Sequence, residues 1–397
     1  MAEKKNVLFV NYSLHSGGIE KSLVTVLSLF DYDTYQVDLQ LFANEGLFLN
    51  RVPPQVHLLK PLFPAEYRQN IRQAFPRLLL KGHPLAALCR LLVSFAGLHG
   101  TVGERLAKMW NIEKRFIRPS GKQYDAVIAF MEGQPIYYAV TKVSAKRRIG
   151  FIHGDYAAMG LDRSFDRVFF EKLDALCTVS ESCLGSLRKV FPEYAGRLRL
   201  IYNIISPDFI RGMAKKGRGF EDGFSGPRIL SIARLSVQKG LDLAMPAVAA
   251  LKKKGFVFRW YIIGIGPEEE RLKNMVQEQG IGDCVRFLGE QPNPYPFLQA
   301  CDIYFQPSRF EGKAIAVDEA KVMCRPILLT DFSTAPDQIE SGKNGLIVSM
   351  TPESILEGLE SLLLNEERCA AFSEELARSS LSNEDEINKL YALICDI

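Results

Sequence analysis

The sequence predicts an α/β protein of two domains, each built on a parallel β-sheet covered by helices. The chain has 397 residues, which is more than a single hydrophobic core normally serves. Short apolar segments alternate with helical ones in both halves, and this alternation is typical of parallel sheets with helices on both faces. Between the halves, residues 206–227 are rich in Gly, Lys and Pro and lack periodicity, so we expect a linker there.

The first half, residues 1–205, begins with a buried strand and continues with helices and strands in turn. A helix over 16–30 follows the first strand, with Gly17 and Gly18 at its start. Polar or glycine-rich turns follow most strands, and ligands of open parallel sheets bind beyond such strand ends. The predicted strands are Val7–Tyr12, Tyr35–Phe42, Asp125–Phe130, Arg148–His153 and Ala175–Ser180.

The second half, residues 228–382, repeats this alternation without repeating the sequence. Its candidate polar residues also follow strands, so we expect the ligand-binding ends of both sheets to carry the functional groups. The predicted strands are Arg228–Ala233, Trp260–Gly264, Val285–Leu288, Ile303–Pro307 and Pro326–Thr330.

Composition excludes several classes of protein. The net charge of +3 is too small to indicate a nucleic-acid partner. Eight scattered cysteines without a Cys-x-x-Cys pair are typical of reduced thiols in a cytosolic protein. The polar first residues lead into a strand and do not resemble a signal peptide. No uncharged apolar run approaches the length of about 18 residues that a membrane span requires.

Residues 306–320 contain the most informative pattern, two glutamates with seven residues between them. Gly312 follows Glu311, and Glu319 lies in an apolar helix that begins near Ala314. Free N–H groups at a helix start attract phosphate, and glycine lets the backbone approach it closely. One carboxylate could then bind a sugar hydroxyl and the other a ribose. By spacing alone, a loop glutamate and an unrelated helix glutamate are the better explanation of the pattern.

This segment resembles the glutamate–seven residues–glutamate motif of retaining glycosyltransferases of family 4. Further segments are similar to that family's motifs and occur in its order, so the resemblance covers nearly the whole chain. It implies a GT-B fold, in which two Rossmann-like domains with parallel sheets face a central cleft, and a terminal helix over about 383–397 that crosses back onto the first domain. The further segments are Val10–Leu23, Phe151–Tyr156, Ser231–Asp242, Tyr261–Leu272 and Val285–Glu290.

The resemblance also implies roles for individual residues. Arg234 and Lys239 would grip the donor diphosphate, and His153 would lie against the donor sugar and diphosphate. Glu311 would orient the donor sugar, and Glu319 would bind the ribose hydroxyls. The remaining donor-binding candidates are Gly17, Gly18, Gly264, Gly266, Gly289, Glu290, Gly312, Lys313 and Ala314.

Several of these residues have a second interpretation. Gly17 and Gly18 could simply be a flexible helix start, with the neighbouring Glu20 capping the helix. His153 could be a structural hydrogen-bonding group at a strand end. The family's usual Glu-Gly-Phe-Gly is replaced here by Glu-Gly-Lys-Ala, and Lys313 would add a cation facing the diphosphate or the donor sugar.

We expect neither a metal nor a cofactor. Asp31 and Asp33 have the Asp-x-Asp spacing of metal-dependent glycosyltransferases, but they lie at a turn, where Asp is common. His153 and Asp155 lack a third ligand nearby in the sequence. The Gly264-x-Gly266 pair is followed by a glutamate-rich helix that would repel a pyrophosphate, which argues against a dinucleotide-binding oxidoreductase.

Residues 60–122 are unusually basic. They include 12 Lys and Arg against 3 Glu, giving a local charge of +9, and apolar stretches run among them. This composition fits either a solvated basic face on core helices or a surface that rests on anionic lipid.

Together, the motifs predict a cytoplasmic, retaining, metal-independent glycosyltransferase with a nucleotide-sugar donor, expected to be a UDP-sugar. The expected acceptor is a glycan or a lipid-linked sugar in bacterial capsule, exopolysaccharide or envelope-glycan synthesis, with peripheral contact to the inner membrane face through residues 60–122. Two alternatives stay open: a sugar-nucleotide epimerase of similar fold, and a non-catalytic nucleotide-sugar-binding protein.

Overall fold

A computed structural model describes residues 4–15, 17–379 and 382–395 of the chain. The chain forms two compact units, each with its own sheet. The first unit comprises the described residues up to Ile204 together with those from Asp385 onward, and the second comprises Ile205–Glu384.

The sheet of the first unit has seven parallel strands in the order β3-β2-β1-β4-β5-β6-β7. Strand order changes direction between β1 and β4, so the carboxyl ends of these two strands border the crevice where ligands of such sheets bind. The strands are β1 (Lys5–Asn11), β2 (Tyr35–Leu41), β3 (His57–Leu58), β4 (Gln123–Ala129), β5 (Ser144–Ile152), β6 (Ala175–Thr178) and β7 (Leu198–Leu200).

Helices cover both faces of this sheet, as its fully buried strands require. They pack against two hydrophobic clusters, one on each face. The helices are α1 (Gly18–Ser28), α2 (Ile71–Leu80), α3 (Pro84–Ala96), α4 (Val102–Glu113), α5 (Gln134–Lys142), α6 (Arg163–Phe170) and α7 (Glu181–Val190).

The second unit has a sheet of six parallel strands in the order β10-β9-β8-β11-β12-β13. Its direction change lies between β8 and β11. The strands are β8 (Arg228–Ile232), β9 (Arg259–Ile263), β10 (Val285–Gly289), β11 (Ile303–Gln306), β12 (Ile327–Thr330) and β13 (Leu346–Val348). The helices are α8 (Pro207–Ala214), α9 (Leu241–Lys253), α10 (Glu269–Glu278), α11 (Tyr295–Ala300), α12 (Ile315–Val322), α13 (Pro352–Leu364) and α14 (Glu366–Arg378).

The segment 206–227 is not the structureless linker that its composition indicates. It contains α8, whose Ile210 and Ala214 are buried with Tyr295 in the core of the second unit. Farther on, Asp222 accepts a hydrogen bond from the hydroxyl of Tyr261 at 2.6 Å. The polar composition misled the prediction because only a few apolar residues anchor this segment.

The chain then returns to the first unit through α15 (Ile387–Cys395), within the segment predicted to cross back. The ring of Tyr391 stacks on Tyr35 at 5.3 Å, and its hydroxyl accepts the N–H of Asp31 at 2.8 Å. Residues 396 and 397, the end of the predicted segment, lie outside the described residues.

All described helices are too short or too polar to cross a membrane. The three strands that the sequence did not predict are β3, β7 and β13, each of two or three residues. Such short strands carry no readable periodicity, because alternation needs at least about four residues.

Candidate functional site

The candidate site of the second unit lies where the strand order changes. The loop after β8 contains Arg234 and Lys239, and the loop after β11 contains Glu311. The buried hydroxyl of Ser231 donates to the carbonyl of Phe305 at 2.6 Å and ties these two strands together. The two loops therefore begin side by side.

Glu311 is the centre of this site. Its carboxylate is almost fully buried, and its Oε1 atom forms an ion pair with the ammonium group of Lys239. The same oxygen also accepts hydrogen bonds from Ser308 Oγ at 2.6 Å and Gln306 Nε2 at 3.0 Å. Among the described residues, the hydrogen-bonding contact of Oε2 is a long one of 3.5 Å with Gln238 Nε2. One oxygen is therefore fixed, and the other retains capacity to accept a hydrogen bond.

The two cations of the site differ in their surroundings. Lys239 is mostly buried and paired with Glu311, whereas Arg234 is exposed. Within the described part of the chain, the guanidinium of Arg234 makes no ion pair. Arg234 can therefore offer its full charge and its planar set of donors to an incoming anion.

Glycines allow the loops of the site to pack backbone against backbone. At Gly240, with φ of +60°, an added Cβ would lie 2.0 Å from the carbonyl oxygen of Pro307. At Gly264, with φ of +140°, it would lie 2.0 Å from the carbonyl oxygen of Ala233, and at Gly266 it would meet Leu235. Packing within the chain thus accounts for Gly264 and Gly266, which position the Arg234 loop.

The neighbouring loop after β10 carries the remaining predicted contacts. The N–H of Gly264 donates to the carbonyl of Gly289 at 2.8 Å, and Gly289 has φ of +65°. The buried Oε1 atom of Glu290 has no hydrogen-bond partner among the described residues. A buried acceptor without a partner costs free energy, so Glu290 is suited to accept a hydrogen bond from a ligand.

Glu319 lies on α12 and is buried. Its Oε1 atom accepts a hydrogen bond from the hydroxyl of Tyr295 at 2.9 Å. The hydroxyl of Tyr304 donates to Gln306 Oε1 at 2.5 Å, and Gln306 Nε2 in turn donates to Glu311 Oε1. Burial and the charges of Glu319 and Glu311 raise the pKa of the Tyr304 hydroxyl.

Lys313 has a partner that the sequence did not reveal. Its ammonium lies 3.4 Å from Asp318 Oδ2, and Lys321 lies 3.4 Å from the other oxygen of the same carboxylate. Asp318 thus compensates the charge that was expected to face the diphosphate or donor sugar. Gln338 binds the N-cap residue of α12, because it accepts from the N–H of Ala314 at 3.0 Å and donates to its carbonyl at 2.9 Å.

In the first unit, the glycines after β1 adjoin a carboxylate. Gly17 is the N-cap of α1, which begins at Gly18. An added Cβ at Gly17 would lie 2.2 Å from Glu20 Oε2, so the glutamate side chain folds back over the helix start. This geometry favours the capping interpretation of Glu20.

His153 lies directly after β5 and is buried. Its ring packs against Phe130 and Phe151 at centroid distances of 5.1 and 5.8 Å. The Nε2 atom is buried without a hydrogen-bond partner among the described residues. Burial lowers the pKa of the imidazole to about 4, so the ring is neutral at pH 7. A neutral ring with one unsatisfied nitrogen can hydrogen-bond a ligand but does not supply a positive charge.

Glu132, after β4, is a neighbour of His153 that sequence reasoning missed. Its Oε2 atom accepts the backbone N–H of His153 at 3.0 Å, and burial raises the pKa of its carboxyl. Asp155 holds the following loop, since its Oδ1 atom accepts from Ser186 Oγ at 2.6 Å.

Asp31 and Asp33, which share the Asp-x-Asp spacing, lie at a turn as the sequence analysis expected. Asp31 Oδ1 accepts the backbone N–H groups of Asp33 and Thr34 at 3.0 and 3.2 Å, which is turn chemistry. Across residues 4–15, 17–379 and 382–395, no group of three or more His, Cys, Asp or Glu side chains could hold a metal ion.

Comparison with known proteins finds similarity to glycosyltransferases, and the family-model match lies within the second half of the chain. Residues 224–378 match the family model described as glycosyl transferases group 1. The amylovoran biosynthesis glycosyltransferase AmsK of Erwinia amylovora is 34% identical over 145 residues, which cover 34% of this chain and 35% of that protein. The first three curated relatives are matched over 57%, 34% and 35% of their own lengths, so the chain spans about half of them or less.

Two further matches extend over most of the chain. The N-acetylgalactosamine-N,N'-diacetylbacillosaminyl-diphospho-undecaprenol 4-alpha-N-acetylgalactosaminyltransferase of Campylobacter jejuni is 24% identical over 354 residues, covering 89% of this chain and 88% of that protein. The structure of Anabaena Alr3699/HepE in complex with UDP and glucose superimposes with a TM-score of 0.69 at 16% identity, covering 99% of both chains. These matches confirm the predicted family resemblance and the predicted fold class.

We predict that the ring of His153 stays neutral at about pH 5.5, where a solvated histidine with a pKa near 6.5 is mostly protonated. The measurement is an NMR titration of the histidine ring signals, in which His153→Gln identifies the signal by removing it. His83→Gln, which changes an exposed histidine before α3, should leave that signal in place. A His153 signal that titrates near pH 6.5 would show that the ring is solvated.

Proposed function

We propose that this chain, a GT-B protein whose second unit carries a glycosyl transferases group 1 domain, transfers a sugar from a UDP-sugar to a glycan or lipid-linked acceptor in bacterial polysaccharide assembly. The observation that carries the proposal is the buried Lys239–Glu311 ion pair beside the exposed Arg234, at the carboxyl ends of β8 and β11. All three residues lie within the region that matches the family model.

The two cations suit a departing diphosphate. Negative charge builds up on the phosphate oxygens as the bond to the sugar breaks, and fixed cations stabilise that charge. Arg234 supplies a planar donor set and Lys239 a point charge. These two side chains can perform the charge stabilisation that a divalent cation provides elsewhere, so we propose that the reaction needs no metal.

The carboxylates suit the hydroxyl groups of the donor. Glu311 Oε2 would accept from a hydroxyl of the donor sugar, while Oε1 stays fixed by its three donors. Glu319 would accept from the ribose hydroxyls, with Tyr295 holding its other oxygen. The orphaned acceptor of Glu290 adds a third hydrogen-bonding position for the nucleotide.

The reaction would proceed with retention at the anomeric carbon. We propose no attack by Glu311 on that carbon, because its available oxygen, Oε2, is assigned to a hydroxyl of the donor sugar. Instead, the acceptor oxygen would form its bond on the face from which the diphosphate leaves. The bond between the anomeric carbon and the phosphate oxygen breaks with its electron pair going to the phosphate, which then takes the proton of the acceptor hydroxyl.

The acceptor class rests on the relatives. The name of the Campylobacter jejuni protein includes a diphospho-undecaprenol, which is a lipid-linked sugar carrier. We extend that class to this chain as a proposal, with the first unit binding the acceptor. The contact of residues 60–122 with an anionic membrane stays a prediction.

The alternatives are less well supported. A sugar-nucleotide epimerase or a non-catalytic binding protein would account for a nucleotide-sugar site, but the relatives described above are named as transferases. The intact charges of Arg234, Lys239, Glu311 and Glu319 also favour turnover over binding alone.

We expect the full chain to release UDP from a UDP-sugar only when a suitable acceptor is present. Acceptor-dependent release distinguishes transfer from epimerisation, which consumes donor alone. A panel of UDP-, GDP- and ADP-sugars with undecaprenyl-diphosphate-linked acceptors provides the measurement, and activity should survive excess EDTA. Strict dependence on Mn²⁺ would contradict the metal-independent mechanism, and donor turnover without acceptor would contradict the transferase assignment.

Arg234→Ala and Lys239→Ala should each weaken binding of free UDP by roughly tenfold to a hundredfold, because a hydrogen bond to a charged group contributes about 1.5–3 kcal/mol. Isothermal calorimetry measures this directly. Arg218→Ala, which changes a highly exposed arginine of the same unit, is the matched control. Equal UDP affinity in the wild type and both site variants would refute the diphosphate assignment.

Glu319→Gln and Glu311→Gln should have different effects on UDP affinity and on kcat. Glu319→Gln should weaken binding of free UDP, because its partner is the ribose. Glu311→Gln should not weaken binding of free UDP, because a Lys239 released from its carboxylate can still pair with the diphosphate. It should lower kcat, because the ligand partner of Glu311 is the sugar. Calorimetry with UDP and initial-rate kinetics with the UDP-sugar separate these effects. Equal loss of UDP affinity in both variants would show that the roles are not divided in this way.

A further inference from the structure

Helix α3 exposes an apolar face that the fold of the first unit does not use. Leu85, Leu88, Leu92 and Phe95 recur at intervals of three and four residues, so they share one side of the helix. All four are exposed, with Leu85 and Phe95 each 67% accessible. Exposed apolar residues extend beyond both ends of α3. These are Leu79 and Leu80 at the end of α2, and Leu98 and Val102 before and at the start of α4.

The opposite side of α3 explains why the helix forms. Ala87, Cys89 and Val93 are buried in the core of the first unit. α3 packs against α2 and α4, which flank it in the chain. The helix is therefore anchored by its small side chains, and its large side chains face outward. A contiguous apolar patch of this kind on a folded surface marks an interaction site.

The charges around the patch indicate what covers it. Between Glu66 and Glu104 the chain has no acidic residue and five basic ones. The basic residues are Arg68, Arg72, Arg77, Lys81 and Arg90. Arg68 is paired with Glu45 and Lys81 with Glu66, so Arg72, Arg77 and Arg90 are the members of this set without an ion pair among the described residues. The two bordering carboxylates are already engaged, Glu66 with Lys81 and Glu104 in the capping box of α4. A second copy of this chain would bring like charges together at the rim, whereas an anionic surface complements them.

We propose that the surface formed by α3, Leu80 and Leu98 inserts into the headgroup region of an anionic lipid bilayer. α3 has 13 residues, whereas a spanning helix needs about 20, so α3 lies in the plane of the membrane. Leucine and phenylalanine enter the boundary of the acyl chains, and the exposed Arg72 and Arg77 contact lipid phosphates. The proposal assigns the membrane contact of the basic region 60–122 to the exposed face of α3. It does not depend on the donor site in the second unit.

Co-sedimentation of the full chain with vesicles tests the proposal without requiring turnover. The protein should bind phosphatidylcholine vesicles that contain phosphatidylglycerol, bind pure phosphatidylcholine vesicles weakly, and lose affinity as salt rises. Leu85→Glu combined with Phe95→Glu should weaken binding by at least about tenfold, because both changes place a carboxylate in the apolar boundary. Leu364→Glu changes a residue that is 73% exposed in the second unit and should bind as the wild type does.

Insertion is measured separately with Phe95→Trp. Both native tryptophans, Trp110 and Trp260, are fully buried, so the new indole should dominate any spectral response to vesicles. Its emission should shift to shorter wavelength and be quenched by brominated lipid. The proposal is overturned by absent binding to the anionic vesicles, by unchanged binding of the double variant, or by an indole that stays in water. A dimer in sedimentation equilibrium that the double variant dissociates would instead make this surface a self-interface.

Discussion

The ion pair between Lys239 and Glu311 joins the loop after β8 to the loop after β11, and the other contacts of the candidate site are arranged around it. Burying two charges is costly unless they are paired and their remaining hydrogen-bonding capacity is used. Here Ser308 and Gln306 supply the additional donors to the carboxylate. Losing either partner would leave an uncompensated buried charge, so Lys239 has a structural role besides any role in binding phosphate.

Charge compensation recurs elsewhere in the second unit. Asp318 lies between Lys313 and Lys321, and Asp242 accepts two hydrogen bonds from Arg309 at 2.7 and 2.9 Å. Arg234 is exposed and lacks such a carboxylate within the described residues. An entering anion therefore meets a cation whose charge has not been neutralised. Arg234 and Lys239 therefore have different roles. Arg234 would bind the anion with its whole charge, whereas Lys239 would contact both the anion and the carboxylate of Glu311.

The sequence predicts the framework of this arrangement well and its contacts poorly. Long buried strands are readable because their apolar pattern depends on local sequence. Arg234 and Glu311 are readable through the motifs that the family resemblance supplies in the loops after two of these strands. Glu132, Asp318 and Gln338 were missed because their roles depend on tertiary packing. Gln338, for example, lies 24 residues beyond Ala314 and reaches it only through the loop after β12. The sequence singled out Gly264 and Gly266 as donor-binding candidates. The structure explains their need for glycine by close contact with the backbone of a neighbouring loop.

α3 shows a second limit of prediction from sequence. In most amphipathic helices the large apolar side chains face the core, but in α3 small side chains face the core and several large ones face outward. Its only charged residue is Arg90, so the sequence alone suggests a helix buried on all sides. The small residues Ala87 and Cys89 instead face the core, where close approach to neighbouring helices requires small side chains. Leu85, Leu88, Leu92 and Phe95 then lie outside, and their removal would create no cavity in the core. Folding of the first unit is thus largely indifferent to these side chains, which leaves an interaction with another surface as the physical account of why they are large and apolar.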